Sequence, residues 1–240
     1  MLEALKPVRV ESTKDACIAS LEALILSGKV KAGEKLAPER ELALRLGVSR
    51  PVVHEALVDL AAKGLVEIIP RVGTVVNDYL KNGSLCLLMS LVNYQKQDLD
   101  PKILDGLLNM RKLFETETAR LAAANRTMEQ LEGFFSVIFE ESQTEPGETA
   151  KIVALDFDLH LRLALASSNV LYTLLMNSFK PVYTTLSAVF FSDENVVPTV
   201  FDFHRKLVSA IADQNEDIAM EVIKDILAHG EDWLKTLLKT

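Results

Sequence analysis

The chain has 240 residues, 49% of them hydrophobic, with 26 Lys and Arg against 34 Asp and Glu and a formal net charge of −8. That apolar fraction excludes a disordered, charge-dominated chain, and the length suits one large domain or two smaller ones. No apolar run reaches membrane-spanning length, and the first 16 residues lack the apolar stretch of a secretory leader. Cys17 and Cys86 have no metal-type spacing, so two ordinary buried thiols, a cytoplasmic location and no membrane association are expected.

The charge is unevenly spread. Residues 1–78 hold 11 basic and 11 acidic side chains, whereas the remaining 162 hold 15 and 23 and carry the whole deficit. Two parts with different partners are expected, divided into 1–78 and 79–240.

In chain order, Thr13 opens an amphipathic helix to about Val30, with Ala16, Ile18, Leu21, Leu24 and Ile25 at helical spacing. KAGEKL is a turn. Pro38 opens a second helix, with Glu39 and Glu41 near its positive end and Gly47 as its stop. Ser49 caps a third helix that runs to Lys63 with Pro51 in its first turn, and Gly64 ends it. The β-branched stretches LVEII and TVV flank PRVG and read as a hairpin. Two helices, a tight turn, a further helix and a hairpin make a winged helix-turn-helix. Beyond Asp78 the strand signal fades. Long apolar patterns such as ILDGLLNMRKLFETETARLAAA alternate with QKQDLDP, SQTEPGE and SDENVVP, which predicts an all-α second domain of six or seven helices. The fold class is therefore mainly α with one small β wing.

A recognition helix presents its N-terminal residues to the major groove of double-stranded DNA. Ser49, Arg50, Pro51 and Val52 occupy that end here, and Arg50 has the fork that pairs with a guanine edge or clamps a phosphate. Arg40 would meet phosphate from the second helix, its alternative being a pair with Glu39 or Glu41. Arg71, Gly73 and Thr74 lie in the wing, where a minor-groove or phosphate contact is natural. The run LAPERELALRLGVSRPVVHEALVDLAAKGLVEIIPRVGTVV resembles the DNA-binding domain of the GntR family of bacterial regulators. The match covers Pro-Glu-Arg-Glu-Leu, Leu-Gly-Val-Ser-Arg, Glu-Ala-Leu, Gly-Leu and the wing Gly-Thr. One departure is His54, where the family usually carries arginine. A histidine there weakens a phosphate or base contact or makes it pH-sensitive.

The helical part resembles the ligand-binding domain of the FadR branch (FCD type), through Arg111, Glu115, Ala119, Asp156, Phe157, His160, Ala166, Asn169, His204, Ile211 and Ala219. Within DFDLH, Asp156 and His160 share a helix face. The resemblance implies that Asp156, His160 and His204 hold a divalent metal (zinc, nickel or manganese) which a small organic-acid effector completes. The fourth ligand position of the family falls on Ile226, and His229, one turn on, is the candidate substitute. Arg111, Asn169, Tyr183 and Trp233 are the expected effector-pocket residues. Two other readings of the same residues are a metal-free polar cluster and a solvated pair. SSNVLYTLLMNSFKPVYTTL and GEDW look like the fatty-acyl-CoA-responsive member of the branch, whose ligand would need a groove along Leu175, Phe179, Tyr183 and Phe190. A metal-dependent hydrolase would also use such donors, but the chain carries no HExxH, nucleophile elbow or phosphate loop. The sequence thus reads as a homodimeric, effector-controlled DNA-binding transcription regulator, not an enzyme.

Overall fold

The computed structural model describes residues 12–94 and 101–237. The chain divides into two compact units, Met1–Lys96 and Gln97–Thr240.

In the first unit, α1 (Thr13–Leu26) is capped by Ser12, whose hydroxyl accepts from the Asp15 amide, one residue earlier than expected. It ends four residues short of Val30, because Gly28 takes a positive φ. The second helix, α2 (Glu39–Leu46), stops at Gly47 in the left-handed conformation, and α3 (Arg50–Ala62) follows after Ser49. Strands β1 (Val66–Ile69) and β2 (Gly73–Val76) pair antiparallel with Val66 opposite Val76 and Ile69 opposite Gly73. Cys17, Leu21, Ile25, Leu42, Val53, Ala56, Leu57, Leu60 and Leu65 form one core. Leu57 and Leu60, nearly or wholly buried, show why α3 is held rigidly. The short α4 (Tyr79–Asn82) and α5 (Leu87–Tyr94) pack within this unit. The reasons are local. Gly64, at φ +79°, lies so close to Asn82 that a Cβ there would meet the Asn82 carbonyl. Ser84 bonds the Lys63 and Ala62 carbonyls, and Leu87 enters the core. Lys63 and Ser90 both bond Glu22, which ties α3, α5 and α1 together. Cys17 is buried as expected, but Cys86, in the turn before α5, is exposed.

The second unit contains six helices among its described residues: α6 (Pro101–Asn125), α7 (Met128–Ser142), α8 (Thr149–Ala166), α9 (Val170–Phe190), α10 (Val197–Ala212) and α11 (Glu216–Leu237). Thr127 and Gln130 form a reciprocal capping box at the start of α7. The main core gathers Ala119, Ala122 and Ala123 of α6 with Phe134, Leu159, Leu163, Leu207, Ile211 and Ile223. Small residues on α6 let its neighbours approach, and α8 is buried over most of its surface. No described helix is long and apolar enough to cross a membrane.

Candidate metal centre and nucleic-acid interface

Two helices converge on one buried point. Asp156 and His160 come from α8 and His204 from α10; one donor atom of each lies within 4.8 Å of the others, and all three are buried. Four-residue spacing puts the first two on one side of α8, and only the packing of α10 against the bundle brings the third. Behind His204, the Glu141 Oε1 of α7 lies 2.6 Å from Nδ1. With Nδ1–H donating to that oxygen, Nε2 keeps a free lone pair in the neutral imidazole. That Nε2 is buried, has no hydrogen-bond partner among the described residues, and lies 3.6 Å from Asp156 Oδ1. Behind His160, Glu115 Oε2 of α6 forms a buried ion-pair contact with Nδ1 at 2.5 Å, and neither atom has a further hydrogen-bond partner among the described residues. Asp156 Oδ2 accepts from the Tyr183 hydroxyl at 2.8 Å and the Ser187 hydroxyl at 3.4 Å, which leaves Oδ1 facing His204.

Burial pushes the Glu115 carboxyl up, but Arg111 and His160 outweigh it and hold it at about 2. Burial lowers the proton affinity of His204, and Glu141 and Asp156 reverse the effect and raise it. Burial and the Asp156 charge push the Tyr183 phenol well up, so it stays a donor.

Arg111, Tyr183, Leu186, Ser187, Phe190 and Ile226 line a cavity of ≈ 40 Å³ at this point together with Asp156 and His160. The Arg111 guanidinium lies 4.5 Å from the Tyr183 ring centroid and spends Nε on Glu115. Its two terminal nitrogens make no bond among the described residues, which suits a carboxylate. This donor set, two imidazoles and a carboxylate with carboxylates behind the imidazoles and an orphaned nitrogen, is one that could hold a divalent metal.

Several expected residues are placed elsewhere. Ile226 lines the cavity and offers no donor. His229 does not join the donor group: three residues further round α11, its ring packs against Phe190 and Phe203, at centroid separations of 5.8 and 6.1 Å. Trp233 leans on Phe190 and donates to Asp193, outside the cavity. Asn169 caps α9, accepting from the Leu171 amide. The expected apolar groove is also divided. Leu175 is exposed, Phe190 faces the polar cavity, and Phe179 lines an adjoining, mainly apolar chamber of ≈ 30 Å³ that shares Arg111, Tyr183 and Leu186 with that cavity. Glu141 was not among the residues expected to matter. Its signal in the sequence is only an acidic residue on the apolar side of α7.

On the winged unit, Ser49, Arg50, Pro51 and His54 are exposed along the start of α3, and Arg40 is exposed on α2. The ion pair to Glu39 forms at Arg50, whose Nε donates to Glu39 Oε2 at 2.9 Å. The other oxygen of Glu39 lies 2.8 Å from His54 Nδ1. Val52 is half-buried against the core. Arg71 and Gly73 are exposed at the wing tip, both at positive φ. Thr74 is buried on the inner face of the hairpin, and Leu36 donates its amide to the Thr74 carbonyl, so the Thr74 side chain is not presented to DNA.

A winged helix-turn-helix head joined to a helical domain with a buried polar cavity defines a DNA-binding transcription regulator with an effector-binding domain. Residues 13–76 match the family described as bacterial regulatory proteins, gntR family, and residues 77–239 match the FadR C-terminal domain. The chain belongs to the GntR family, with a FadR-type C-terminal domain. It is 33% identical over 220 residues to the HTH-type transcriptional regulator LutR of Bacillus subtilis, covering 88% of this chain and 96% of that one. It is 29% identical over 235 residues to the regulator Mce2R of Mycobacterium tuberculosis, covering 98% and 97%. A fatty acid metabolism regulator protein of Yersinia enterocolitica is 27% identical over 208 residues, covering 87% and 83%. Among solved structures, Lar of Listeria monocytogenes has a TM-score of 0.67 at 19% identity, covering 96% of this chain and all of that one, a likeness of fold.

Proposed function

We propose that the protein is a homodimeric, cytoplasmic regulator whose operator binding is set by a small organic acid at a divalent-metal site of Asp156, His160 and His204. The observation that carries this reading is the buried, unpartnered Nε2 of His204 beside Asp156, with Glu141 fixing the opposite nitrogen. When bound, the ion supplies Lewis-acid positions for an effector oxygen. The chain's own groups do the rest. Asp156 contributes negative charge, its second oxygen anchored by Tyr183 and Ser187. Arg111 offers its terminal nitrogens to an effector carboxylate, and the small cavity excludes long chains. Zinc, nickel and manganese all suit this mixed N/O set.

At the DNA, Arg40, Arg50, Arg71 and the backbone near Ser49 and Gly73 engage phosphate or base edges, with Pro51, Val52 and His54 lining the start of α3. A single compact head per chain favours a two-fold repeat read by two copies. The buried carboxylates beside the cavity face imidazoles, which supports a sensor rather than a hydrolase. The test is metal analysis of the purified protein, then anisotropy of a labelled operator duplex with and without metal and with a panel of mono- and dicarboxylic acids. Folded protein that takes up no zinc, nickel or manganese at micromolar levels would end the metal reading.

A second reading, a metal-free acyl-CoA sensor, draws on the name of the Yersinia relative, and the ≈ 30 Å³ apolar chamber beside Tyr183 would have to open to admit such a chain. Its mark would be calorimetric binding of a long-chain acyl-CoA that survives chelation.

A further inference from the structure

The Glu39 carboxylate of α2 faces the two polar side chains that α3 projects from its exposed start. It accepts from Arg50 Nε at 2.9 Å through one oxygen and meets His54 Nδ1 at 2.8 Å through the other. We infer that Glu39 is a specificity-determining positioning residue: it aims the Arg50 fork and fixes which tautomer His54 shows to a base pair. This rests on the reading that α3 enters the major groove.

The geometry has two consequences. Arg50 spends only Nε, so both terminal nitrogens stay free and are held in one plane, the arrangement that reads O6 and N7 of guanine together. A flexible arginine on an exposed helix start would otherwise lose several rotamers on binding. For His54, an ionised carboxylate accepts only, so Nδ1 must carry the hydrogen and Nε2 turns outward as an acceptor. Hydrogen bonds from His54 and Arg50 hold the Glu39 carboxyl below its usual range, in keeping with an ionised bridge. A neutral His54 of this tautomer selects a base that offers a donor in the major groove, the N6 amino group of adenine or the N4 amino group of cytosine. An arginine at this position could only donate. The bridge therefore changes what the head reads, and does not merely weaken a contact.

The discriminating variant is Glu39→Gln. Its side chain has nearly the same size and presents one acceptor and one donor. With the acceptor on Arg50 Nε, its amide N–H meets His54 Nδ1 and drives the hydrogen to Nε2, which becomes an outward donor. The experiment is selection from a randomised duplex pool at pH 8 by full-length wild type, Glu39→Gln and Glu39→Ala, with affinities for the selected and for unrelated duplexes and thermal melts to verify folding. Wild type should select adenine or cytosine at the His54 position and guanine at the Arg50 position. Glu39→Gln should admit guanine or thymine at the His54 position, which present only acceptors there, and lose cytosine, which presents none. Glu39→Ala should bind the selected duplex about tenfold more weakly, while unrelated duplexes bind equally or better because one negative charge has left the surface. Folded Glu39→Gln with the wild-type base profile and affinity overturns the inference. Arg50→Ala separates the two levels. If it binds the selected duplex as wild type does, the recognition-helix reading fails and the inference with it. If it loses that binding while Glu39→Gln changes nothing, only the role of Glu39 fails.

Discussion

Replacing Glu141 by Gln tests the metal centre without touching a proposed ligand. In the wild type, Glu141 Oε1 lies 2.6 Å from His204 Nδ1, and neither residue is more than 2% exposed. The carboxylate does two things: it raises the donor strength of the imidazole and, in the neutral ring, keeps the hydrogen on Nδ1 so that Nε2 can bind a metal. Gln with its carbonyl towards Nδ1 still accepts, but a neutral acceptor makes roughly half as strong a bond. Gln with its amide towards Nδ1 donates instead, places the hydrogen on Nε2 and removes a ligand. Loss of such a supporting group lowers metal affinity by about 10- to 100-fold, or about 1.4–2.8 kcal/mol. The assay is calorimetric zinc titration of chelator-stripped protein at pH 7.5, paired with a thermal melt. Proton competition adds a second signature. The raised proton affinity of metal-free His204 means that wild-type zinc affinity falls as pH falls, since the metal must displace a proton. Without the Glu141 charge, that decline should begin at lower pH. A folded variant with zinc affinity within about twofold of wild type, and the same pH profile, would refute the supporting role and weaken the case for His204 as a ligand.

Ile226→His should tighten metal binding, because Ile226 lines the cavity, whereas His229→Ala should leave it unchanged; both are read by the same titration. Phe134→Ala should destabilise the helical unit by about 3–5 kcal/mol in urea unfolding, since the ring is fully buried in the main core. Gly64→Ala should lower the melting temperature of the winged unit, because the backbone has φ +79° and Asn82 occupies the space of the methyl group. Lys63→Met should cost about 1–3 kcal/mol, leaving the Glu22 charge with only the Ser90 hydroxyl, as measured by equilibrium unfolding.

The sequence by itself determined the winged head nearly to the residue. Pro38, Gly47 and Gly64 punctuate the backbone through local φ preferences, and such signals act over only a few residues, whereas Ser49 precedes α3 without the expected side-chain cap bond. The placing of Asp156 and His160 on one face of α8 was also local, a matter of helical period. What the bundle alone decided was the third dimension of each site. His204 reaches Asp156 across 48 positions of chain, and Glu141 reaches His204 across 63, because apolar packing of α7, α8 and α10 chooses which helix faces meet. His229 and Trp233 carry suitable chemistry at neighbouring positions of α11, yet the rotation of that helix turns Ile226 to the cavity and sends them to Phe203 and Asp193. The same holds for Arg50. Its exposed place at the start of α3 was readable, but its partner, Glu39 on the preceding helix rather than a residue of α3 itself, was set by how the two helices cross. Helical period fixes faces along one segment; only the packing of separate segments fixes which faces converge.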